Sequence, residues 1–253
     1  AHIFCRREQV QAEVEKVLDF AFELIAAFGF KEYEIELSTQ PAKFIGKQED
    51  WDLATVSLKN ALNKKGITYQ INAGDGAFYG PKIDLKLKDA IGRKWQCSTV
   101  QCDLALPERF DLTFINEEGK QERPIMLHRA LMGSVERFFG TLIEHHAGNF
   151  PIWLSPVQTV VVPIRPEHDA FGNTVADKLR DAGLRVEIDN RNESLGKRIR
   201  ESRLQRIPYI LVIGDKEVAS GNVAVRKRPE TDLGSKSVEE FLALACKEIV
   251  DKV

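Results

Sequence analysis

Two histidines and one arginine are the side chains of this sequence whose surroundings suggest chemistry. His128 lies in an apolar segment at residues 125–131, Arg137 lies at the start of an apolar helical segment, and His2 is close to the first residue. Neutral imidazoles are common zinc ligands, so His2 and His128 could share an ion although they are remote in sequence. The simpler alternative makes His128 a core histidine with satisfied hydrogen bonds and Arg137 a snorkelling arginine, and spacing alone favours this alternative.

A polar strand face and a glycine-rich loop are further candidates for chemistry. The loop, residues 74–82, contains Tyr79 and Lys82. A strand predicted at residues 95–104 presents one face of polar side chains, namely Thr99, Gln101 and Asp103. Such a face is costly to bury unless a ligand binds there, although a solvent-facing antiparallel strand is common. The loop lysine and the arginine at the helix start suit a polyphosphate such as ATP.

A strand, a turn and a helix are predicted to position His128 and Arg137. Alternation at residues 125–131 predicts the strand. Gly133 allows the turn, and Ser134 is a suitable N-cap for the helix. The following apolar residues recur at helical spacing and predict a buried helix face that consists of Val135, Phe138, Phe139, Leu142 and Ile143.

The first half of the chain is predicted to be an antiparallel sheet accompanied by helices. Periodicity predicts helices at residues 8–28 and 49–64. Alternating segments predict strands at residues 33–37, 68–72, 83–87, 95–104, 109–116 and 125–131. Residues 2–5 form an apolar run that is too short to classify.

The second half has a different pattern, in which strands and helices alternate. Residues 150–156 are typical of a linker with apolar anchors, and residues 157–164 form an almost wholly apolar strand, as expected in a buried parallel sheet. Helices and strands then alternate with short connections, which predicts a three-layer α/β domain. No G-x-G-x-x-G sequence follows the first strand, so a dinucleotide site is not expected.

A basic cluster follows the second strand of this α/β region, at the strand end where open α/β sheets bind ligands. Within sixteen residues it contains Arg191, Lys197, Arg198, Arg200, Arg203 and Arg206. The cluster suits phosphates, although a solvated helix face is the more common reason for a run of charge. Unstacked bases could be read through the hydrogen-bonding edges of Asn192, Arg200, Glu217 and Arg226.

The composition is that of a globular protein without a global basic field. The chain has 253 residues, 43% hydrophobic and 29% charged, with a formal net charge of −2, so any nucleic-acid surface must be local. Four scattered cysteines form no framework and indicate a reducing compartment, and Cys97 with Cys102 gives little support to a zinc knuckle. No membrane-spanning segment or signal peptide is recognised, so we expect a cytoplasmic protein without a membrane partner.

Several segments together resemble bacterial threonyl-tRNA synthetases, which are class II aminoacyl-tRNA synthetases. They are GAFYGPK, QCSTVQCD, MLHRALMGSVERF, FPIWLSPVQ, DNRNESLGKRIR, RIPYILVIGDKEV and VAVRKR, and the resemblance covers essentially the whole chain. It implies part of an α+β class II antiparallel-sheet catalytic domain at residues 1–150. A linker at 151–156 and a three-layer α/β anticodon-binding domain at 157–253 would follow.

The resemblance also implies roles for residues at matching positions. His2 and His128 match two of three protein ligands of a catalytic zinc, which would hold threonine through its amino group and hydroxyl. Arg137, Gln101 and Lys82 would carry catalysis, Arg137 matching the arginine that contacts ATP. The pocket for threonine and ATP would include Tyr79, Gln96, Thr99, Gln101, Ser134 and Arg137. The anticodon would be contacted by Asn192, Arg200, Glu217 and Arg226.

The implied reaction is ATP-dependent formation of threonyl-adenylate followed by transfer of threonine to tRNA(Thr). The carboxylate of L-threonine attacks the α-phosphate of ATP, which Mg²⁺ accompanies, and the terminal adenosine of the tRNA then accepts the threonyl group. Catalysis of this kind rests on positioning and charge stabilisation. The full-length protein is expected to be a homodimer.

The sequence departs from the family pattern in what it lacks. No residue matches the third zinc ligand, a cysteine, or the signature-two arginine that grips the α-phosphate, and the first signature and an editing domain are also missing. We therefore expect residues 1–253 alone to lack threonine-dependent ATP–pyrophosphate exchange, and robust exchange by that chain would contradict this.

Two alternatives to the enzyme remain at this point. One is a non-catalytic RNA-binding or regulatory relative, and the other is an isolated anticodon-type module that acts as an adaptor or dimerisation unit. Both predict decay at the ligand and ATP positions. The matches at His128, Arg137, Gln101 and Lys82 favour the enzyme.

Overall fold

The chain folds into two compact units. The computed structural model describes residues 1–253 and divides them into Ala1–His145 and His146–Val253. The division falls close to the end of a helix, a few residues before the predicted linker at 151–156. None of the helices is both long enough and apolar enough to cross a bilayer.

The first unit is built on a six-stranded sheet with the strand order β1-β8-β5-β4-β2-β3. Strands of the unit are β1 His2–Cys5, β2 Tyr33–Ser38, β3 Gln70–Asn72, β4 Lys82–Lys88, β5 Lys94–Asp103, β6 Phe114–Ile115, β7 Gln121–Glu122 and β8 Ile125–Ala130. Its α-helices are α1 Val10–Ala27, α2 Gln48–Lys64, α3 Leu106–Arg109 and α4 Val135–His146, and a 3₁₀ turn at Arg7–Gln9 precedes α1.

The structure corrects three details of the predicted sheet. The short run at residues 2–5 is the edge strand β1, which pairs antiparallel with β8. Strands β2 and β3 are parallel, so the sheet is mixed. The predicted strand at residues 109–116 is reduced to β6, which pairs only with β7 in a separate two-stranded sheet. Arg109 instead ends the helix α3, and Asp111 has a positive φ of 49°, so the first part of this segment is not extended.

One face of the six-stranded sheet is apolar and packs against α1 and α2. Buried residues on this face of the sheet are Ile35, Leu37, Ile83, Leu85, Val100 and Leu127. The helices contribute Val14, Leu18, Ile25, Trp51, Leu58 and Leu62, all at most 3% exposed. Because side chains alternate along a strand, the opposite face carries the intervening polar residues.

Helix α4 buries only part of its predicted apolar face. Phe138 and Leu142 are buried, and Phe138 packs against the rings of Phe28 and Phe30 at centroid distances of 5.0 and 5.9 Å. The other three residues of the predicted face are exposed, namely Val135 (67%), Phe139 (54%) and Ile143 (39%). These three residues are spaced four apart, so they form a stripe of their own beside the packed one.

The second unit is a five-stranded sheet between two layers of helices, which confirms the predicted three-layer α/β domain. The strands, in spatial order β10-β9-β11-β12-β13, are β9 Thr159–Pro163, β10 Val186–Ile188, β11 Tyr209–Ile213, β12 Asn222–Lys227 and β13 Thr231–Ser237. The helices are α5 Asp169–Asp181, α6 Leu195–Leu204, α7 Asp215–Ser220 and α8 Val238–Asp251. Strands β10, β9 and β11 pair in parallel, whereas β12 pairs antiparallel with both of its neighbours, β11 and β13.

Both faces of this second sheet are buried. One face packs Val161, Leu211 and Val225 against Leu179 of α5 and Phe241 of α8. The other packs residues including Val160, Val162 and Ile210 against α6 through Ile199. The side chains of β9 are therefore buried on both sides of the sheet, as its continuous apolar run predicted.

Candidate functional site

Strand pairing places four predicted site residues in one row across the first sheet. His2 is opposite His128, His128 is opposite Gln101, and Gln101 is opposite Lys82. Directly opposite residues have Cβ atoms about 4.5–5.5 Å apart and point to the same face. The structure therefore brings these four side chains together into a polar row on the face that α1 and α2 leave open.

The two histidines form a close pair at the edge of the sheet. Their ring centroids are 4.7 Å apart with an interplanar angle of 75°. Nε2 of His128 lies 2.7 Å from Oδ2 of Asp103, whose side chain is 2% exposed. A carboxylate only accepts hydrogen bonds, so in a neutral imidazole Nε2 donates to Asp103 and Nδ1 of His128 keeps its lone pair. Two neighbouring imidazoles with an available ring nitrogen fit a zinc ion.

Cys5 and Cys102 do not complete this histidine pair. Cys5 and Cys102 are buried, and their positions alternate with His2 and Gln101 onto the helix-covered face. Burial, with the nearby charges of Glu13 and Glu8, raises the pKa of the Cys5 thiol to about 11, and burial also raises the pKa of Cys102. Both side chains are therefore neutral packing groups.

Tyr79 and Gln101 are joined by a hydrogen bond in the middle of the polar row. The Tyr79 hydroxyl donates to Oε1 of Gln101 at 2.8 Å, which leaves the Gln101 amide nitrogen as a donor for a ligand. Burial raises the pKa of Tyr79, and the charge of Asp103 adds to this effect. Tyr79 is therefore a phenol that fixes the orientation of the Gln101 amide.

Asp84 connects three of the predicted residues and was not recognised from the sequence. Its Oδ1 accepts hydrogen bonds from Nε2 of Gln96 and Oγ1 of Thr99, each at 2.7 Å, and its Oδ2 pairs with Nζ of Lys82 at 2.5 Å. Asp84 is 1% exposed. Along β4 it alternates with apolar residues and resembles an ordinary surface charge. Only its position opposite Thr99 could have indicated the network.

Arg137 places a positive charge without a carboxylate partner beside Trp95 and Gln96 of β5. The N–H of Arg137 donates to Oγ of Ser134 at 3.3 Å, as expected for an N-cap. The guanidinium lies 5.4 Å from the centroid of the Trp95 ring and donates to the carbonyl oxygen of Gln96 at 3.4 Å. Arg137 is exposed and has no carboxylate partner, so it is available to an anionic ligand.

Arg200 and Arg226 line one groove of the second unit, with a volume of about 620 Å³. The groove is also lined by Gly196, Ile199, Arg203, Leu204, Arg206 and Glu230. Arg203 pairs with Glu230 at 3.1 Å and Arg206 donates to Oδ1 of Asn149 at 3.0 Å. The side chains of Arg200 and Arg226 have neither an acidic partner nor a hydrogen bond within the fold, so they are the free cations of the groove.

The other two predicted anticodon residues lie outside the lining of this groove. Asn192 is exposed in the connection between β10 and α6. Glu217 lies in α7, where its Oε2 accepts a hydrogen bond from the N–H of Gly214 at 3.0 Å. The structure thus assembles Arg200 with Arg226 and leaves Asn192 and Glu217 apart from that lining.

Part of the predicted basic cluster is neutralised within the fold. Arg198 is buried, and its guanidinium donates to the carbonyl oxygens of Pro163, Asp189 and Ile164 at 2.7, 2.8 and 3.1 Å. Arg191 pairs with Asp189 and Glu201, and its hydrogen bonds lower the pKa of Asp189. Arg191 and Arg198 therefore tie together the carboxyl ends of β9 and β10, a role that the composition of the cluster could not show.

Comparison with known proteins gives the same division into two parts. Residues 1–146 match the family described as tRNA synthetase class II core domain (G, H, P, S and T), and residues 158–248 match the family described as anticodon binding domain. The threonine–tRNA ligase of Nitrosococcus oceani is 54% identical over 242 residues, covering 96% of this chain and 38% of the relative. That of Finegoldia magna is 52% identical, covering 100% of this chain and 39% of the relative.

A solved structure agrees with these relatives. The RNA binding domain of threonyl-tRNA synthetase from Cryptosporidium parvum Iowa II superposes with a TM-score of 0.90 at 39% identity, covering 98% of this chain and 62% of that one. This chain spans about two fifths of the length of the curated relatives named above. The chain belongs to the class II aminoacyl-tRNA synthetase family and corresponds to the C-terminal part of threonine–tRNA ligases.

Proposed function

We propose that this chain is part of a threonine–tRNA ligase that activates L-threonine with ATP and Mg²⁺ and transfers it to tRNA(Thr). The observation that supports this most is the polar row His2, His128, Gln101 and Lys82 on the open face of a class II core. In the first step a carboxylate oxygen of threonine bonds to the α-phosphorus while the bond from that phosphorus to the pyrophosphate oxygen breaks. In the second step a hydroxyl of the terminal adenosine of the tRNA attacks the threonyl carbonyl and AMP leaves.

His2 and His128 would hold a zinc ion beside the threonine. When bound, that ion would supply Lewis-acid binding of the amino group and hydroxyl of the substrate. The paired register and the 4.7 Å ring separation support this assignment. A pocket that engages a substrate hydroxyl discriminates about 10⁴–10⁵-fold against an analogue without one. Valine, which has no hydroxyl, should therefore be rejected.

Polar residues of β4 and β5 would orient the threonine and the adenylate. The Gln101 amide, fixed by Tyr79, offers N–H donors to the substrate. Through Asp84, the positions of Gln96, Thr99 and the Lys82 ammonium are linked to one another. Reacting groups held in a fixed geometry lower the entropic part of the barrier.

Arg137 would bind the phosphates of ATP at the start of α4. Its guanidinium lies over Trp95 and lacks an acidic partner, so it can pair with phosphate oxygens as charge develops. Ser134 fixes the first turn of α4 by accepting from the Arg137 N–H. Arg137 and Ser134 are thus both positioned by the first turn of α4.

Amino-acid-dependent ATP–pyrophosphate exchange by the full-length gene product tests this function. Threonine should support exchange, serine should support much less, and valine should support almost none. Absence of threonine-dependent exchange would contradict the proposal. Binding of tRNA(Thr) without any exchange would support the non-catalytic RNA-binding relative instead.

Substituting Arg226 by alanine should weaken binding of tRNA(Thr) by about 1–3 kcal/mol, the typical cost of losing an arginine that reads a base. Arg226 is a free cation of the groove, whereas Arg203 in the same groove is already paired with Glu230. Arg203→Ala is therefore a matched control with a smaller expected effect. Fluorescence anisotropy at fixed salt measures both, and equal losses in the two variants would argue against base recognition by Arg226.

A further inference from the structure

Asp103 is a buried carboxylate with fixed partners at both oxygens. It is the last residue of β5 and its side chain is 2% exposed. Oδ1 accepts hydrogen bonds from the N–H groups of Ala105 and Leu106 at 2.8 and 2.9 Å. Oδ2 lies 2.7 Å from Nε2 of His128. The carboxylate cannot rotate without losing one of these two sets of hydrogen bonds.

The neighbours of His128 restrict the orientation of its ring as well as the position of its proton. His2 lies on one side at a ring distance of 4.7 Å and Tyr79 lies at 6.1 Å. The Tyr79 hydroxyl is bonded to Gln101 and is therefore held in place. Asp103 at Nε2 completes this arrangement, so the imidazole has a defined orientation.

The tautomer of His128 follows from the chemistry of its partner. An ionised carboxylate has no proton to donate, so the proton of a neutral imidazole must reside on Nε2. A metal ion binds only a ring nitrogen that carries no proton. We propose that Asp103 is a positioning residue that holds His128 in the Nε2–H tautomer and thereby presents Nδ1 to the zinc ion. This inference rests on the zinc site of the proposed function.

The turn between β5 and α3 alone does not account for Asp103. An aspartate that only fixes this turn needs one oxygen for the N–H groups of Ala105 and Leu106. Here the second oxygen is also removed from solvent and directed at His128. Because both oxygens have partners, Asp103 is placed as a partner of the ligand rather than as a ligand itself.

The isosteric substitution Asp103→Asn separates the two roles. An amide has one accepting oxygen and one donating nitrogen. If the oxygen stays with the two backbone N–H groups, the amide nitrogen faces Nε2 of His128, which must then accept. The proton therefore moves to Nδ1. The serine-protease triad behaves in this way, since the aspartate-to-asparagine change there imposes the wrong tautomer.

Two measurements on the full-length gene product test the inference. Long-range ¹H–¹⁵N correlation of ¹⁵N-histidine-labelled protein without metal should show His128 protonated on Nε2, and D103N should show it protonated on Nδ1. Competition with a chelator should give a Zn²⁺ affinity about 10–100-fold lower in D103N. Asp111→Asn is the matched control because Asp111 is exposed and paired with Arg123. It should change neither quantity.

The outcomes distinguish the inference from the function on which it rests. An Nδ1–H tautomer in the wild type would overturn the inference, and this measurement needs no variant to fold. Zinc binding that is equal in wild type and D103N would overturn it too, while leaving the zinc site in place. A wild-type protein with the expected tautomer but no affinity for Zn²⁺ would instead overturn the zinc site of the proposed function.

Discussion

Replacing His128 by alanine is expected to abolish zinc binding and to lower threonine-dependent ATP–pyrophosphate exchange about 10³-fold or more. His128 is the central member of the polar row, with His2 on one side and Gln101 on the other. Lewis-acid stabilisation contributes several kcal/mol, and about 4 kcal/mol corresponds to 10³-fold in rate. Zinc content and exchange rate of the full-length gene product are the quantities to measure.

His145→Ala is the matched control for this substitution. His145 lies in the same unit, where it stacks on Phe30 and contacts the carbonyl oxygen of Gly29, outside the polar row. The control should keep its zinc and most of its exchange activity. Circular dichroism verifies that both variants fold. Full zinc content together with wild-type exchange in His128→Ala would refute the assignment of His128.

Gly80→Ala should destabilise the first unit by about 4 kcal/mol or more and reduce exchange at least about 100-fold. A Cβ at Gly80 would lie 1.6 Å from the carbonyl oxygen and 2.7 Å from the carbonyl carbon of Cys102. Both are backbone atoms, so no side-chain movement relieves the clash. The segment is anchored on β5 by hydrogen bonds from the N–H of Cys102 to Pro81 and from the N–H of Leu104 to Tyr79.

The functional part of this prediction follows from the neighbours of Gly80. If the segment moves away from β5, Tyr79 and Lys82 leave their partners Gln101 and Asp84. A displacement of about 1 Å at a reacting site can cost 10²-fold in rate. The loss of activity should therefore accompany the loss of stability.

Gly140→Ala introduces the same methyl group where the structure has room for it. Apart from its chain neighbours and the backbone of its own helix, no atom lies within 4 Å of a Cβ at Gly140, which is in the middle of α4. Alanine is favoured over glycine in a helix, so this variant should be more stable by about 0.5–1 kcal/mol. Denaturant unfolding of the two variants measures the difference. Wild-type stability and exchange in Gly80→Ala would show that the close approach to Cys102 is not required.

Local patterns predicted much of the first unit but not the meeting of its histidines. The strand around His128, the cap at Ser134 and the polar face of β5 follow from alternation and spacing. Spacing alone still favoured a core histidine at position 128. The pairing of β1 with β8 places His2 opposite His128. A four-residue strand whose partner is remote in sequence has no local signal. Imidazole chemistry could suggest the pair, but only the family resemblance gave a reason to prefer it.

The sequence also did not reveal which charged side chains are buried. Asp84 and Asp103 alternate with apolar residues, as surface charges do, and their burial is decided by strands that are distant in the chain. The same holds for Arg198, which belongs to a run of charge but donates to three carbonyl groups inside the second unit. Strand β13 was also missed, because its small and polar residues lack an apolar period.

Diffraction from crystals of the full-length gene product, recorded on both sides of the zinc absorption edge, tests directly whether His2 and His128 hold a zinc ion. We expect an anomalous difference peak in contact with the two imidazoles, with zinc–nitrogen distances of about 2.0–2.1 Å. Nδ1 should be the contacting atom of His128, and Nε2 should remain bonded to Asp103. Zinc bound elsewhere, or no peak beside this histidine pair, would show that His2 and His128 do not form the zinc site.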